Sequence, residues 1–312
     1  MRVLLAGGSG AVGVPLVCRL REHGHVVTAI HRAPEGHERI RAAGAVPVQV
    51  DALDRSALFD SLRGERFDAV IAELTSLKKP PMTHRDMATT DRLRTEGTAN
   101  LLSAAERCGA RRFITQSMVF GYGYEDSGDR TLTEVESFAP KARGAFETHL
   151  AAMRSNEDQV LGSPDLEGVA LRYGLFYGPG PAGDALVGLL RRRRLPGARP
   201  AGVKPWLYID DAAEATVAAL ERGKPGRAYN IVDDEPVSFT HLIQAIAAAV
   251  GAPKPLVMPE WMLVVAPLAR SMMRGDMRVS NALAKSELGW YPAVPTYRDG
   301  VERMARHYPQ TA

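Results

Sequence analysis

Cysteine is scarce: Cys18 and Cys108 are the only two among 312 residues. Each falls in a stretch of helical spacing, which excludes a disulfide framework or a thiolate metal site and makes a reducing compartment, the cytoplasm, the expectation. A dominant charge is also missing. Thirty-nine Lys and Arg face 36 Asp and Glu, leaving a formal +3, a balance that argues against nucleic acid or an anionic membrane as partner. The longest apolar stretch, near Leu256 to Ala269, is broken by Pro259, Glu260 and Pro267 and is too short to span a bilayer. It reads as a packed or lid segment. No charged-then-apolar leader precedes the first strand, because Val3 already lies in it. Repeats and low-complexity tracts are absent, and aromatic residues make up only 6%. Between Tyr124 and Tyr173 there is no tyrosine at all.

What the chain does have is glycine at one place in a set order. The apolar run Val3 to Ala6 leads into Gly7, Gly8, Gly10 and Gly13, then into a helix ending near His23. Gly8, Gly10 and Gly13 fit G-x-G-x-x-G, and Gly7, Gly10 and Gly13 fit G-x-x-G-x-x-G. A tight strand-to-helix turn of this kind sets backbone N–H groups against a pyrophosphate while the helix N-terminus adds positive dipole, and a Cβ at the closest point would push the phosphate away. Pro15 is tolerated in the opening helical turn. The prediction is a dinucleotide site.

Alternation continues with strands at Val26 to Ile30, Val46 to Val50, Ala69 to Ala72, Arg112 to Thr115 and Gly168 to Arg172, and helices at Ser56 to Arg63, Asp91 to Cys108 and Ala142 to Leu161. That rhythm builds a parallel sheet from βαβ units. Past Gly178 to Pro181 the composition turns loop-rich. Trp206 to Ile209, a helix from Asp211 to Arg222 and a strand at Ala228 to Val232 then read as a return to the sheet. The expected division is a dinucleotide-binding domain of residues 1–172 plus 205–233 and a substrate domain of 173–204 plus 234–312.

Candidate cofactor contacts are Gly7, Ser9, Gly10, Ala11 and Val12 in the turn, Asp51 with Ala52 at the adenine edge, Leu74, Gln116 and Tyr173. Gln116 and Ser117 leave the fifth strand at its C-terminal end, within reach of a nicotinamide amide or a substrate oxygen. The second strand ends without the acid that accepts a ribose 2′-OH, and Arg32 stands there instead, which favours NADP, with NAD as the alternative.

Several separate pieces together resemble the extended short-chain dehydrogenase/reductase group of NAD-dependent epimerase/dehydratase proteins: GGSGAVG (7–13), VDALD (50–54), EGTANLLSAAERCGARRFI (96–114), YG (122–123), LRYGLFYGPG (171–180), LYIDDAAEA (207–215), YNIVDDEPVS (229–238) and LGWYP (288–292). The resemblance implies an α/β fold, a Rossmann-type doubly wound parallel sheet with a smaller C-terminal α/β substrate domain. It also implies a cleft between the two, a homodimer formed through two long helices, and an NAD(P)-dependent oxidoreductase, epimerase or dehydratase acting on a small carbonyl or hydroxyl compound.

The departures are specific. Such proteins place Ser or Thr four residues before the Tyr-Gly, where this chain has Met118, and a Tyr-x-x-x-Lys on the next helix, where it has His149 and Met153, or Leu150 and Arg154 in the shifted frame. Ser117, Tyr122 and His149 become the candidates for proton transfer, with Tyr124 nearby. The alternative function is a catalytically silent NAD(P)-binding sensor or partner protein. Arg191 to Arg194 read as cations offsetting a helix C-terminus, or with Lys204 as a clamp for an anionic substrate. Asp210-Asp211 reads as a helix cap, and no metal is expected. Trp206, Trp261 and the methionines near 262–277 read as core or lid.

Overall fold

The computed structural model describes residues 1–77 and 81–309. Seven parallel strands form the main sheet: β1 (Arg2–Ala6), β2 (Val26–His31), β3 (Val46–Gln49), β4 (Ala69–Ala72), β5 (Arg112–Met118), β7 (Glu167–Tyr173) and β12 (Arg227–Ile231), in the spatial order β12-β7-β5-β4-β1-β2-β3. The chain order reverses direction between β1 and β4. In open α/β sheets that reversal opens a crevice at the carboxyl ends of the strands, where ligands bind. The inner strands are near-continuous apolar text because both faces are covered: every residue of β4, AVIA, is buried.

Helices α1 (Gly13–Glu22) and α8 (Ile209–Arg222) cover one face, packing Leu16, Val17, Leu20, Ala215 and Ala219 on the sheet. The other face carries α3 (Arg55–Ser61), α5 (Thr98–Arg107) and α6 (Ala145–Leu161) through Leu58, Leu101, Ala104 and Val160. The helix α2 (Gly36–Ala43) connects β2 to β3. The single helix expected from Asp91 to Cys108 is instead α4 (Ala88–Arg92), a π turn over Leu93–Gly97, and α5. In this wider turn the Thr95 hydroxyl donates back to the Asp91 and Arg92 carbonyls, at 3.1 and 3.3 Å, side-chain competition of the kind that perturbs a regular ladder.

Short strands lie outside the main sheet. They pair as β6 (Thr131–Leu132) with β15 (Arg278–Val279), β8 (Leu175–Tyr177) with β11 (Trp206–Tyr208), β9 (Gly197–Arg199) with β14 (Val257–Pro259), and β10 (Val203–Lys204) with β13 (Val237–Ser238). Of the segments expected to rejoin the sheet, β12 does so beside β7, whereas β11 pairs with β8 in a separate two-stranded ribbon. Helices α7 (Pro181–Arg191), α9 (Phe239–Ala249) and α11 (Tyr297–His307) enclose a second core around Trp206, Tyr208, Ile243 and Met304. The helix α10 (Pro267–Met273) follows a 3-10 segment, Glu260–Val265, that leaves Trp261 and Val265 exposed. No helix among the described residues is long and apolar enough to cross a membrane.

Candidate functional site

The glycine turn joins β1 to α1 at the crevice, and its glycines have different reasons to be there. A Cβ on Gly7, whose φ is +89°, would sit 2.2 Å from the Glu73 carbonyl oxygen, and one on Gly13 would sit 2.2 Å from the Gly7 carbonyl. One on Gly8 would meet the Ala29 Cβ at 2.6 Å. These three are required by the protein's own packing. Gly10 differs: a Cβ there meets only the Gly7 oxygen, at 3.1 Å, and the residue is exposed. α1 starts with neither a side-chain cap nor an acidic residue in its first turn; Val14 N–H bonds the Gly10 carbonyl at 3.3 Å and Pro15 has no N–H, so the Gly13 N–H and the helix dipole are what the terminus offers an anion. Ser9 is half-buried and Ala11 exposed on the rim of the turn, while Val12 is buried beneath it. The turn fits a diphosphate.

Beside it, at the ends of β2 and β3, Arg32 is exposed and its guanidinium has no partner among the described residues. The Asp51 carboxylate accepts from the Leu53 N–H at 2.9 Å, and the Ala52 carbonyl accepts from Asn100 at 2.9 Å, so α5 fixes the backbone that would border an adenine. Leu74 is half-buried just past β4. Tyr173 requires a correction as a cofactor contact. Its ring is fully buried and its hydroxyl lies 2.9 Å from Glu73 Oε1 and 2.6 Å from Thr216 Oγ1, so its side chain is closed to a ligand. Burial raises the Glu73 carboxyl to about 8. Sequence reasoning missed this acid, which lies directly behind Gly7.

At the end of β5 the structure corrects two catalytic candidates. The Ser117 hydroxyl donates to Glu157 at 2.6 Å, and Glu157 is held by three contacts from the Arg172 guanidinium, the shortest 2.7 Å. Arg172 also donates to the Tyr122 hydroxyl at 2.9 Å, which donates on to Asn230 at 2.8 Å. Both hydroxyls are consumed inside a buried network binding β5, α6, β7 and β12. Burial, partly offset by Arg172, raises the Tyr122 phenol. Asn156, next to Glu157, accepts from Thr98 and Thr115 and donates to the Gln116 carbonyl. The Gln116 side-chain oxygen, by contrast, is buried without a partner among the described residues.

His149 is not a surface residue. It is 2% exposed, its Nδ1 lies 2.6 Å from Asp91 Oδ2, and its Nε2 lies 2.8 Å from His84 Nδ1. The two imidazoles stack at 5.1 Å and 13°, and Phe146 stands edge-on to His84. Arg94, half-buried, approaches the other Asp91 oxygen at 3.5 Å, and burial lowers its pKa. Tyr124 packs against Phe120 and Phe146, with its phenol pushed up to about 12 by burial. His84, Asp91 and Arg94 escaped the sequence reading because they lie 65, 58 and 55 residues from His149, with no motif linking them. The clamp reading of Lys204 also fails. Its ammonium is buried, lowered to about 8 by burial, and donates to the Arg274 and Gly275 carbonyls at 2.7 and 2.6 Å. Both Asp211 oxygens accept backbone N–H groups, from Ala293 and Val294.

A glycine turn fitted to a diphosphate at the switch of a doubly wound parallel sheet defines a dinucleotide-fold protein of the short-chain dehydrogenase/reductase type. The chain belongs to the NAD dependent epimerase/dehydratase family, which residues 3–232 match. It is 36% identical to a 3-diazoavenalumate denitrifying reductase of a Streptomyces species, covering 97% of this chain and all of the relative. It is also 29% identical to the 2-alkyl-3-oxoalkanoate reductase of Stenotrophomonas maltophilia, over 81% of this chain and 77% of that one. In fold it is similar to the UDP-glucose 4-epimerase of Thermotoga maritima, solved with UDP-glucose, with a TM-score of 0.79, 21% identity and coverage of 99% and 98% of the two chains. The Thermus thermophilus UDP-glucose 4-epimerase, solved with NAD, gives 0.78 at 24% identity over the full length of both.

Proposed function

We propose that this protein is an NAD(P)H-dependent reductase that reduces the carbonyl of a small organic substrate, using a histidine pair in place of the family's Tyr and Lys. The observation that carries this reading is the Asp91–His149–His84 line of hydrogen bonds, because α6 contains neither tyrosine nor lysine. The glycine turn and α1 N-terminus would hold the diphosphate, Gln116 the carboxamide, and Arg32 a 2′-phosphate, which favours NADPH. When bound, the nicotinamide supplies a hydride. This chain must then supply a proton to the oxygen that becomes negative, and fix that oxygen in place. The Glu157–Arg172 network holds the end of β5 rigid beneath that position.

A second reading is favoured by the relative that acts on a diazo compound. Hydride addition to the terminal nitrogen of an aryldiazonium group would give a neutral diazene, Ar–N=N–H, whose C–N bond then breaks as the hydrogen passes to the ring carbon, overall Ar–N2⁺ + H⁻ → Ar–H + N2, and that reaction leaves no oxyanion to protonate. The purified protein is to be given NADPH or NADH with a panel of β-keto acids and aryl diazo acids, following loss of the reduced cofactor and identifying products. The proposal expects alcohol formation and a higher kcat/KM for NADPH than NADH. Dinitrogen release with no alcohol moves the assignment to the second reading. Bound cofactor with no turnover supports the silent, cofactor-sensing alternative.

A further inference from the structure

We propose that His84 is the residue that hands the proton to the substrate, and that Asp91 and His149 are positioning residues that hold it in the right tautomer. The inference deepens the carbonyl-reductase reading and rests on it. Placement comes first. α6 connects the end of β5 to the start of β7 in a parallel sheet, so it runs back against the strands and its N-terminal turns stand at their carboxyl ends. Glu157 on this helix touches Ser117 near the end of β5, and His149, eight residues earlier, lies about 12 Å farther along at 1.5 Å per residue, beyond the sheet edge where ligands bind. His84 reaches the same spot from the connection leaving β4, in the 3-10 turn His84–Met87, whose capping box pairs Thr83 with Asp86.

Chemistry follows from the hydrogen bonds. The Asp91 carboxylate accepts from His149 Nδ1–H at 2.6 Å, which leaves His149 Nε2 as an acceptor. That acceptor takes Nδ1–H of His84 at 2.8 Å. The exchangeable proton of His84 is thereby confined to Nε2, an atom that has no partner among the described residues and is not sealed from solvent. The logic is that of an acid-imidazole pair in which a buried carboxylate sets the tautomer of the working ring, extended by one ring. In the reduction a C–H bond forms from the delivered hydride, the C=O π pair moves to oxygen, and the N–H bond of His84 Nε2 breaks to give O–H. Neutral His84 keeps its Nδ1–H toward His149 and regains the Nε2 proton from water.

The groups facing His84 decide when it carries that proton. His149 lies on α6 with Phe146, Asp91 and Arg94 stand behind it on α4 and the π turn, Tyr124 packs on the far side of Phe146, and Arg85 and Asp86 neighbour it along the chain. Burial, and to a lesser degree the His149 ring, lower the His84 pKa. Reductive turnover therefore falls as pH rises through the His84 titration.

The test is a kcat–pH profile of the wild type, His84→Gln, His149→Gln and Asp91→Asn, together with imidazole ¹⁵N NMR of the cofactor-free protein. The proposal expects His84→Gln to lose about 100-fold or more in kcat with little change in cofactor KM and with the pH dependence gone, and His84→Ala to be partly rescued by added imidazole. By NMR, His149 is the Nδ1–H tautomer, and Asp91→Asn moves the His84 titration. His84→Gln turning over within twofold of wild type overturns the proposal, as do histidines that titrate independently and ignore Asp91→Asn. The NMR result stands whether or not any carbonyl substrate is reduced, so failure of the reductase reading is seen separately, as a wild type that consumes no reduced cofactor.

Discussion

Glu73 shows how a single residue's environment writes itself into stability. Thr216 Oγ1 donates to the Ala212 carbonyl at 2.7 Å, lies 2.6 Å from the Tyr173 hydroxyl, and Tyr173 lies 2.9 Å from Glu73 Oε1. The Tyr173 hydroxyl donates to Glu73 Oε1, yet burial outweighs that bond and raises the carboxyl from 4.5 to about 8. The sign follows from proton counting. Below pH 4.5 the carboxyl is protonated in folded and unfolded chains alike; between 4.5 and about 8 only the unfolded chain gives up its proton, so stability falls as pH rises across that window and levels off above it. Glu73→Gln keeps the shape and removes the titration. Urea unfolding is expected to show the variant gaining on wild type by up to ~4 kcal/mol between pH 5 and pH 8, at about 1.4 kcal/mol per pH unit. A constant difference between the two across that range contradicts the neutral acid.

At the scale of elements, the strand–turn–helix unit at residues 2–22 combines two demands that can be separated by mutation. Gly13→Ala puts a Cβ 2.2 Å from the Gly7 carbonyl, so it should cost roughly 1–3 kcal/mol of stability. Gly10→Ala meets only one protein atom, at 3.1 Å, so its melting temperature should stay near that of wild type while calorimetric affinity for NADPH drops about tenfold or more, a loss of about 1.4 kcal/mol. Equal cofactor affinity in Gly10→Ala and wild type contradicts the diphosphate reading of the turn. This unit was the most legible part of the sequence, because glycine spacing, the apolar run of β1 and the start of α1 all follow from local sterics. The strands β2, β4, β5, β7 and β12 were legible for the same reason, as short apolar runs between turns. The π turn at Leu93–Gly97 was not, since nothing in the local apolar spacing marks it, and the Thr95 hydroxyl bond back to the Asp91 carbonyl within it is visible only in the folded chain. Nor was the pairing of β11 with β8, which depends on how the whole chain closes and not on the three residues themselves.

For the whole molecule, the region beyond the glycine turn is assembled from distant stretches, and this is where reading along the chain fell short. His149 could be singled out because it replaces a tyrosine at a countable spacing. Its partners could not, because Asp91 and His84 are brought to it by the packing of α4 and the β4 connection on α6. Ser117 and Tyr122 sat at plausible positions, yet the buried Glu157 and Arg172 claim their hydroxyls, a fact that appears only when β5, β7 and α6 are stacked together. The sheet topology brings the glycine turn after β1 and the carboxyl ends of β4 and β5 to the same edge of the sheet. The measurement that bears on it most directly is a single turnover with NADPH carrying deuterium at nicotinamide C4 and a β-keto acid as acceptor. The account predicts one deuterium on the carbinol carbon of the product from one face of the labelled cofactor and none from the other, with the hydroxyl proton drawn from solvent. Cofactor that stays bound and unoxidised, or an alcohol free of deuterium from either face, contradicts it.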